Sequence, residues 1–515
     1  MRKVISKILP VILMSSLMAP ACSELETQLL TVDQIGKATI ETFFSELDGL
    51  VAAGEGLHKE MKSFVDGEYV RYGDIRGDLL NSTIDTNEGD LLAYNYELTA
   101  EHVATYPRNL WAAGWSIVTE ANNIIYYGRK LKDTGRYPIA SERAIIDRVI
   151  AQAYFGRAFA HFCLCNAYAW PYNYTADHSH LGVPVMDHVP GFNDKVERKS
   201  VKDVYNRIFT DLERARELFR SSATLNPAAA PSYCQIDAIS DCYHISDIAC
   251  EALLARIYLY MEDWENAEKC AKNVMDKVPL TPYEGYVKMF RNSQDYSAEE
   301  AILRMNSFSS SSSMGSFYNP TNNTKFIPEP SVYDLFEDDD VRKTLLTYVP
   351  LTTEDIYAPG LTFKGVCKYA YDRTITDPDK KVSDCFVLRS SEMYLIHAEA
   401  AVKGRGDTAT AEDDIKALEG RARNIPASSV SLSWSGEDGM LSLIELERKK
   451  ELCFEGHRFF DILRCRQDLN RPATSLSKMK HLKYPDYRFI LPIDRMECQY
   501  NEYIQQNEGY DDYKK

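Results

Sequence analysis

The chain has no excess of positive charge: 59 lysines and arginines stand against 76 aspartates and glutamates, a formal net charge of −17 over 515 residues. Nucleic-acid recognition draws on clustered Lys and Arg at the phosphates, so this balance argues against that class of partner. Acidity suits a solvated surface and neutral or cationic ligands. The sequence also lacks a serine-nucleophile elbow, a zinc-binding helix and a phosphate loop, which removes the commonest hydrolase and nucleotide-binding motifs. No C-x-x-C pair occurs, and Cys163-Leu164-Cys165 has the wrong spacing for a zinc knuckle. Beyond the N-terminal stretch, no apolar run approaches the roughly 20 residues that span a bilayer.

What the N-terminus does have is a basic start (Arg2, Lys3, Lys7), an apolar run from Ile8 to Ala21, and then Cys22. A charged start, a short apolar stretch and small residues before a cut site predict a secretory signal peptide over 1–21. Cysteine directly after the cut resembles the bacterial lipoprotein arrangement, with Ala19 and Pro20 departing from the strict pattern. Cys22 is therefore the expected lipidation site and 22–32 a tether, which anchors a protein to a membrane without spanning it. The stretch Ser23-Glu24-Leu25-Glu26 is similar to the acidic signal that sends lipoproteins of Bacteroides-type bacteria to the outer face of the outer membrane. Export would permit disulfides. The remaining cysteines are odd in number, and Cys163, Cys165, Cys250, Cys270 and Cys453 sit in apolar helical stretches. They read as buried free thiols.

Apolar spacing of three and four residues predicts a mainly α fold. Asp33 to Phe64 reads as one long helix or two, and Asp66 to Thr105 as an ordered loop region. Helices follow over Trp111–Tyr127, Ala140–Ala169 (stopped by Pro171), Val201–Phe219 (capped by Ser200), Ser246 or Asp247 to Met261, and Trp264–Met275 (capped by Asp263). A further pair is predicted over Arg389–Lys403 and Ala411–Arg423. Ala252, Ala255, Tyr258-Leu259 and then Asp263-Trp264-Glu265-Asn266-Ala267 resemble the junction of two tetratricopeptide repeats. One such repeat cannot bury its own apolar face, so several should stack. The expected organisation is a helix-pair region over 33–275, a loop-rich insertion with short strands over 276–385, and a last helix pair with the C-terminal region over 386–515.

Ile444-Glu445-Leu446-Glu447-Arg448-Lys449-Lys450-Glu451-Leu452-Cys453-Phe454-Glu455-Gly456-His457-Arg458-Phe459-Phe460-Asp461-Ile462-Leu463-Arg464 resembles the C-terminal signature of the SusD/RagB family, with Cys465 where that pattern has Trp. Leu388 to Ala400, Asp340-Val341-Arg342, Leu491-Pro492-Ile493, Gln506 to Tyr510, Arg157-Ala158-Phe159 and Gly182-Val183-Pro184-Val185 are similar to other elements of the family, in consistent order. Read as residues alone, the signature is structural. Its charges are interleaved with Phe454, Phe459 and Phe460, so some must be partly buried and need partners. Gly456 allows a close backbone approach.

The resemblance implies a surface lipoprotein that captures a glycan for a SusC-like TonB-dependent transporter, with no cofactor and no catalysis. A glycan would lie on aromatic rings with Asn, Asp and Arg at its hydroxyls. Tyrosine, with its polar tip, outnumbers phenylalanine 33 to 20. The resemblance points to two stretches for the ligand. One supplies Asp74, Arg76, Tyr94, Asn95 and Tyr96; the other supplies Phe317, Tyr318 and Asn319. Trp111 and Trp115, at helical spacing, read as core. Trp170, beside Pro171 and Tyr172 at a helix end, reads equally as packing or as ligand surface. Two alternatives stay open: the same fold with peptide or glycoprotein cargo, and a surface glycoside hydrolase, which needs paired carboxylates.

Overall fold

The computed structural model describes residues 39–83, 85–102, 105–191, 194–224, 242–291, 299–305, 313–318, 325–348, 363–369 and 384–510. The principal helices are α1 (Leu47–Phe64), α2 (Tyr106–Asp133), α3 (Ala140–Tyr168), α4 (Val201–Thr224), α5 (Asp247–Met261), α6 (Trp264–Met275), α7 (Ser390–Arg405), α8 (Thr408–Ala422), α9 (Gly436–Glu451) and α10 (Arg458–Arg464). Each packs on the next along an array that runs α1 to α2 to α3 to α4 to α5 to α6, with α7 against α6 and both α8 and α9 against α7. This is the stacking that a set of half-exposed helix pairs requires.

The caps are those the sequence predicts. Ser200 accepts a hydrogen bond from the Asp203 N–H at 3.1 Å, and the side chains of Ser246 and Asp263 accept from Ala249 and Asn266. Helix α3 is buried on nearly every face rather than along one stripe, because α2 and α4 cover it from two sides. Among the charges it carries into the core, Arg157 pairs with Asp211 of α4 at 2.6 Å. Trp111 is part of that core, edge-on to Tyr168 at 5.0 Å.

The expected loop over Asp66–Thr105 is helical in part. After α1 the chain winds on through Val65–Tyr69 and Val70–Ile75, and Glu88–Tyr94 forms another short helix. The sequence shows no period here because these turns are enclosed. Val65, Asp66, Val70, Tyr72, Gly73, Asp74 and Ile75 are all buried, so no polar face marks them as helix.

The described strands pair in antiparallel twos. The strand β1 (Leu80–Ser82) pairs with Phe326–Pro328, and Ala301–Met305 pairs with Cys385–Arg389, Ala301 lying opposite Arg389 and Met305 opposite Cys385. The second pairing brings together two strands of the long insertion, and Phe317, Tyr318, Phe326 and Tyr369 between them belong to the main core. Cys163, Cys165, Cys250, Cys270, Cys385 and Cys453 are buried free thiols. No helix among the described residues is long and apolar enough to cross a membrane.

Candidate functional site

Two groups of residues invite a functional reading: those the sequence singled out, and an aromatic surface at the end of α3.

The structure brings the two predicted stretches together, but in the interior. Tyr318 donates its hydroxyl to Asp74 Oδ2 at 2.8 Å, and the Gly456 N–H donates to Asp74 Oδ1 at 2.8 Å. The carboxylate thus ties the N-terminal region and the insertion to the C-terminal signature. Burial pushes its pKa up to about 7, against the pull of the Tyr318 and Gly456 hydrogen bonds. The approach is close enough to demand glycine on both sides. A Cβ on Gly73 would sit 2.1 Å from the Gly456 carbonyl oxygen, and Gly456 itself has φ +80°.

The other predicted ligands are fasteners as well. The Arg76 guanidinium lies 3.6 Å from the Tyr96 ring centroid, and Tyr96 donates to the Arg76 carbonyl at 2.6 Å. Tyr94 reaches Asn81 and Ser475, Asn95 accepts from the Lys478 N–H at 2.9 Å, and Phe317 packs under Arg71 and against Phe326. None of these seven residues is more than 8% exposed. A ring must offer a face to stack on a sugar, so the expectation that Asp74, Arg76, Tyr94, Asn95, Tyr96, Phe317 and Tyr318 line the ligand is corrected: in this structure they are internal ties. Asn319 and Cys22 lie outside the described residues.

The signature is a buried ion network. Arg389 reaches Glu300 at 2.7 Å, Glu451 at 2.6 Å and Glu455 at 2.8 Å; Arg421 bridges Glu300 and Glu451; Lys368 pairs with Glu455. Arg342 grips Asp340 at 2.7 Å and Glu451 at 3.0 Å, which explains the Asp340-Val341-Arg342 element. Burial opposes ionisation of Glu451, but Arg421, Arg389 and Arg342 outweigh it and hold that carboxyl well below its ordinary range. Glu455 is likewise held at about 2: burial works against the charge, and Arg389 and Lys368 prevail. Burial lowers His457 to about 4. Acids fixed in their charged form by guanidinium groups, and shut off from solvent, are poorly placed to exchange protons with a substrate.

The exposed aromatic cluster begins where Pro171 ends α3. A short turn over Tyr172–Tyr174 follows, held by the Asn173 amide donating to the Met261 carbonyl at 2.8 Å. Trp170 and Tyr174 stack at 4.8 Å with an interplanar angle of 12°, and Tyr484 meets Trp170 edge-on at 5.7 Å. Tyr172 stacks on His178 at 4.0 Å. Tyr174 is 39% exposed, and Trp170, Tyr172 and Tyr484 are half-buried. Polar groups rim the cluster: Arg466 pairs with Glu262 at 2.7 Å and also donates to the Asn173 carbonyl. The Tyr484 hydroxyl is buried beneath them and has no hydrogen-bond partner. Burial pushes the Tyr484 phenol up to about 12, so it stays a neutral donor. Trp170 with Pro171 and Tyr172 was visible in the sequence as an ambiguous helix end. Tyr484 and Arg466, some three hundred residues on, carried no signal, because only the fold brings them alongside.

Two family models match this chain: the SusD family over residues 357–510, and a family described as starch-binding and associating with the outer membrane over residues 69–259. The chain belongs to the SusD family. A SusD-like protein P2 of Formosa agariphila is 24% identical over 481 residues, covering 86% of this chain and 87% of that protein. A SusD superfamily structure from Bacteroides thetaiotaomicron superimposes with a TM-score of 0.73 at 23% identity, over 90% of this chain and 99% of the other. A SusD-like carbohydrate binding protein of Bacteroides vulgatus gives a TM-score of 0.67 at 19% identity, over 88% and 97%. The mainly α SusD fold accounts for the helix array and for the order of the motifs. The family description also associates this class of protein with the outer membrane.

Proposed function

We propose that this SusD-family chain is a lipid-anchored protein of the outer cell surface that binds an oligo- or polysaccharide and passes it to a SusC-like TonB-dependent transporter. It does so without catalysis and without a cofactor. The observation that supports this reading most strongly is the stack of the exposed Tyr174 on the half-buried Trp170, with Tyr484 beside it, on a fold whose family is described as starch-binding. The C–H faces of a pyranose are apolar and slightly positive, which suits the electron-rich face of an aromatic ring. Its hydroxyls want planar polar partners, and Arg466 and Glu262 stand at the rim. The buried, fully paired carboxylates of the signature favour binding over glycoside hydrolysis. Cys22 followed by an acidic stretch supports the anchor and its outward address.

Affinity electrophoresis through gels that contain single polysaccharides tests the reading. The protein should be retarded by at least one glycan, and incubation with that glycan should release no shorter sugars. Retardation by none of a broad panel, or steady release of sugars, would sink it.

A further inference from the structure

Beneath the C-terminal signature lies a second feature, separate from the aromatic surface. A cavity of about 180 Å³ opens beside α9 and α10, lined on its apolar part by Leu79, Leu441, Ile444, Leu452 and Cys453. At roughly 30 Å³ per molecule it has room for about six waters, or for one small organic molecule. Cys465, an exposed residue, also borders it, at the position where the family pattern has the far larger Trp.

Its charged lining is unbalanced. Lys403, Arg448, Lys449, Arg458 and Arg464 contribute five cations, against the three carboxylates of Glu399, Glu445 and Asp461. Asp78, bonded to Arg458 at 2.8 Å, adds one more negative charge from behind, and the balance remains positive. The local sign is thus opposite to that of the whole chain. Within this lining Arg448 is incompletely satisfied. Its Nε and Nη2 both bond Asp461, at 3.2 and 2.9 Å, and Asp461 is shared with Arg464 at 2.8 Å. The remaining nitrogen, Nη1, is buried with no hydrogen-bond partner, on a side chain only 4% exposed. A buried guanidinium nitrogen without an acceptor carries a full desolvation penalty, and a carboxylate is the acceptor whose shape and charge relieve it best.

We propose that this cavity is a binding site for a small carboxylate, the acid group meeting Arg448 Nη1 and the body of the molecule resting on the Leu441–Ile444–Leu452 floor. The carboxylate can belong to a free organic acid or to the uronic-acid end of a sugar chain. The site is independent of the glycan-binding reading, since it shares no residue with the Trp170 cluster.

Isothermal titration of the intact protein with benzoate and with glucuronate, each beside its uncharged counterpart (benzyl alcohol, glucose), tests the proposal. The acid of at least one pair should bind at least tenfold more tightly than its neutral partner. The tighter acid identifies the source: benzoate a free organic acid, glucuronate an acidic sugar end. Cys465→Trp should weaken that binding tenfold or more by filling the cavity, while gel retardation by polysaccharide stays at the wild-type level. If Cys465→Trp does not fold, Leu441→Trp closes the cavity from the α9 side and should have the same effect. Equal binding of acid and neutral partner, no binding of either acid, or full binding in an occluded variant would overturn the site.

Discussion

Asp74→Asn separates the structural role of this carboxylate from a ligand role. Asp74 is buried, its pKa is raised from 3.8 to about 7, and burial is the leading cause. A carboxyl whose folded pKa exceeds its unfolded value stabilises the fold in the protonated form. That contribution is complete below about pH 4 and is lost as pH rises through about 7. Roughly three pKa units at about 1.4 kcal/mol each set a ceiling of about 4 kcal/mol on the loss. Asparagine keeps an oxygen for the Gly456 N–H, and its amide can donate to the Tyr318 hydroxyl, so both ties survive without a charge. Urea unfolding of wild type and Asp74→Asn at half-unit steps from pH 4 to 8 reads the difference directly. The stability gap should open in favour of the variant between pH 4 and 7 and then level off, with glycan retardation unchanged. A variant less stable than wild type by more than about 2 kcal/mol at pH 8, or a gap independent of pH, would refute the reasoning.

Four further outcomes follow from the same packing. Arg389→Met should destabilise by about 3–5 kcal/mol in denaturant unfolding, because it removes the cation that joins Glu300, Glu451 and Glu455 and leaves Arg421, Arg342 and Lys368 to offset three buried carboxylates; a loss under about 1 kcal/mol would contradict the network's role. Gly73→Ala should fail to give a cooperative thermal transition, since its Cβ would collide with the Gly456 backbone. Gly67→Ala, with open space around the added methyl, should fold like wild type in the same melt. Tyr94→Phe should cost about 1–3 kcal/mol of stability in urea unfolding by leaving the Asn81 and Ser475 groups short of a partner, with glycan affinity within twofold of wild type.

The array of helices was legible because its outer members are amphipathic and capped. Ser246 and Asp263 stand where the caps are, and Trp264, Ala267, Cys270, Ala271 and Val274 mark one face. The segment after Phe64 was not legible as helix, because enclosure on all sides erases the period that signals one. The same enclosure hides the polar tips of the tyrosines. Tyr94, Tyr96 and Tyr318 look like wet aromatics in a polar, glycine-rich context, yet their hydroxyls are satisfied by Asn81, Ser475, the Arg76 carbonyl and Asp74 within the protein. Polar surroundings in sequence did not mean solvent in space. The burial of charge in the signature, by contrast, was inferred from the phenylalanines threaded through it. What could not be foreseen was which distant arginines would answer those glutamates.

The central claim is that a glycan rests on the aromatic surface at the end of α3. Its most direct test is gel retardation by the best-retained polysaccharide for wild type, Trp170→Ala, Tyr174→Ala and the Tyr94→Phe control. The account predicts retardation reduced at least tenfold in both surface variants and retained in the control. Retention of wild-type affinity by Trp170→Ala and Tyr174→Ala, with loss in Tyr94→Phe, would contradict it.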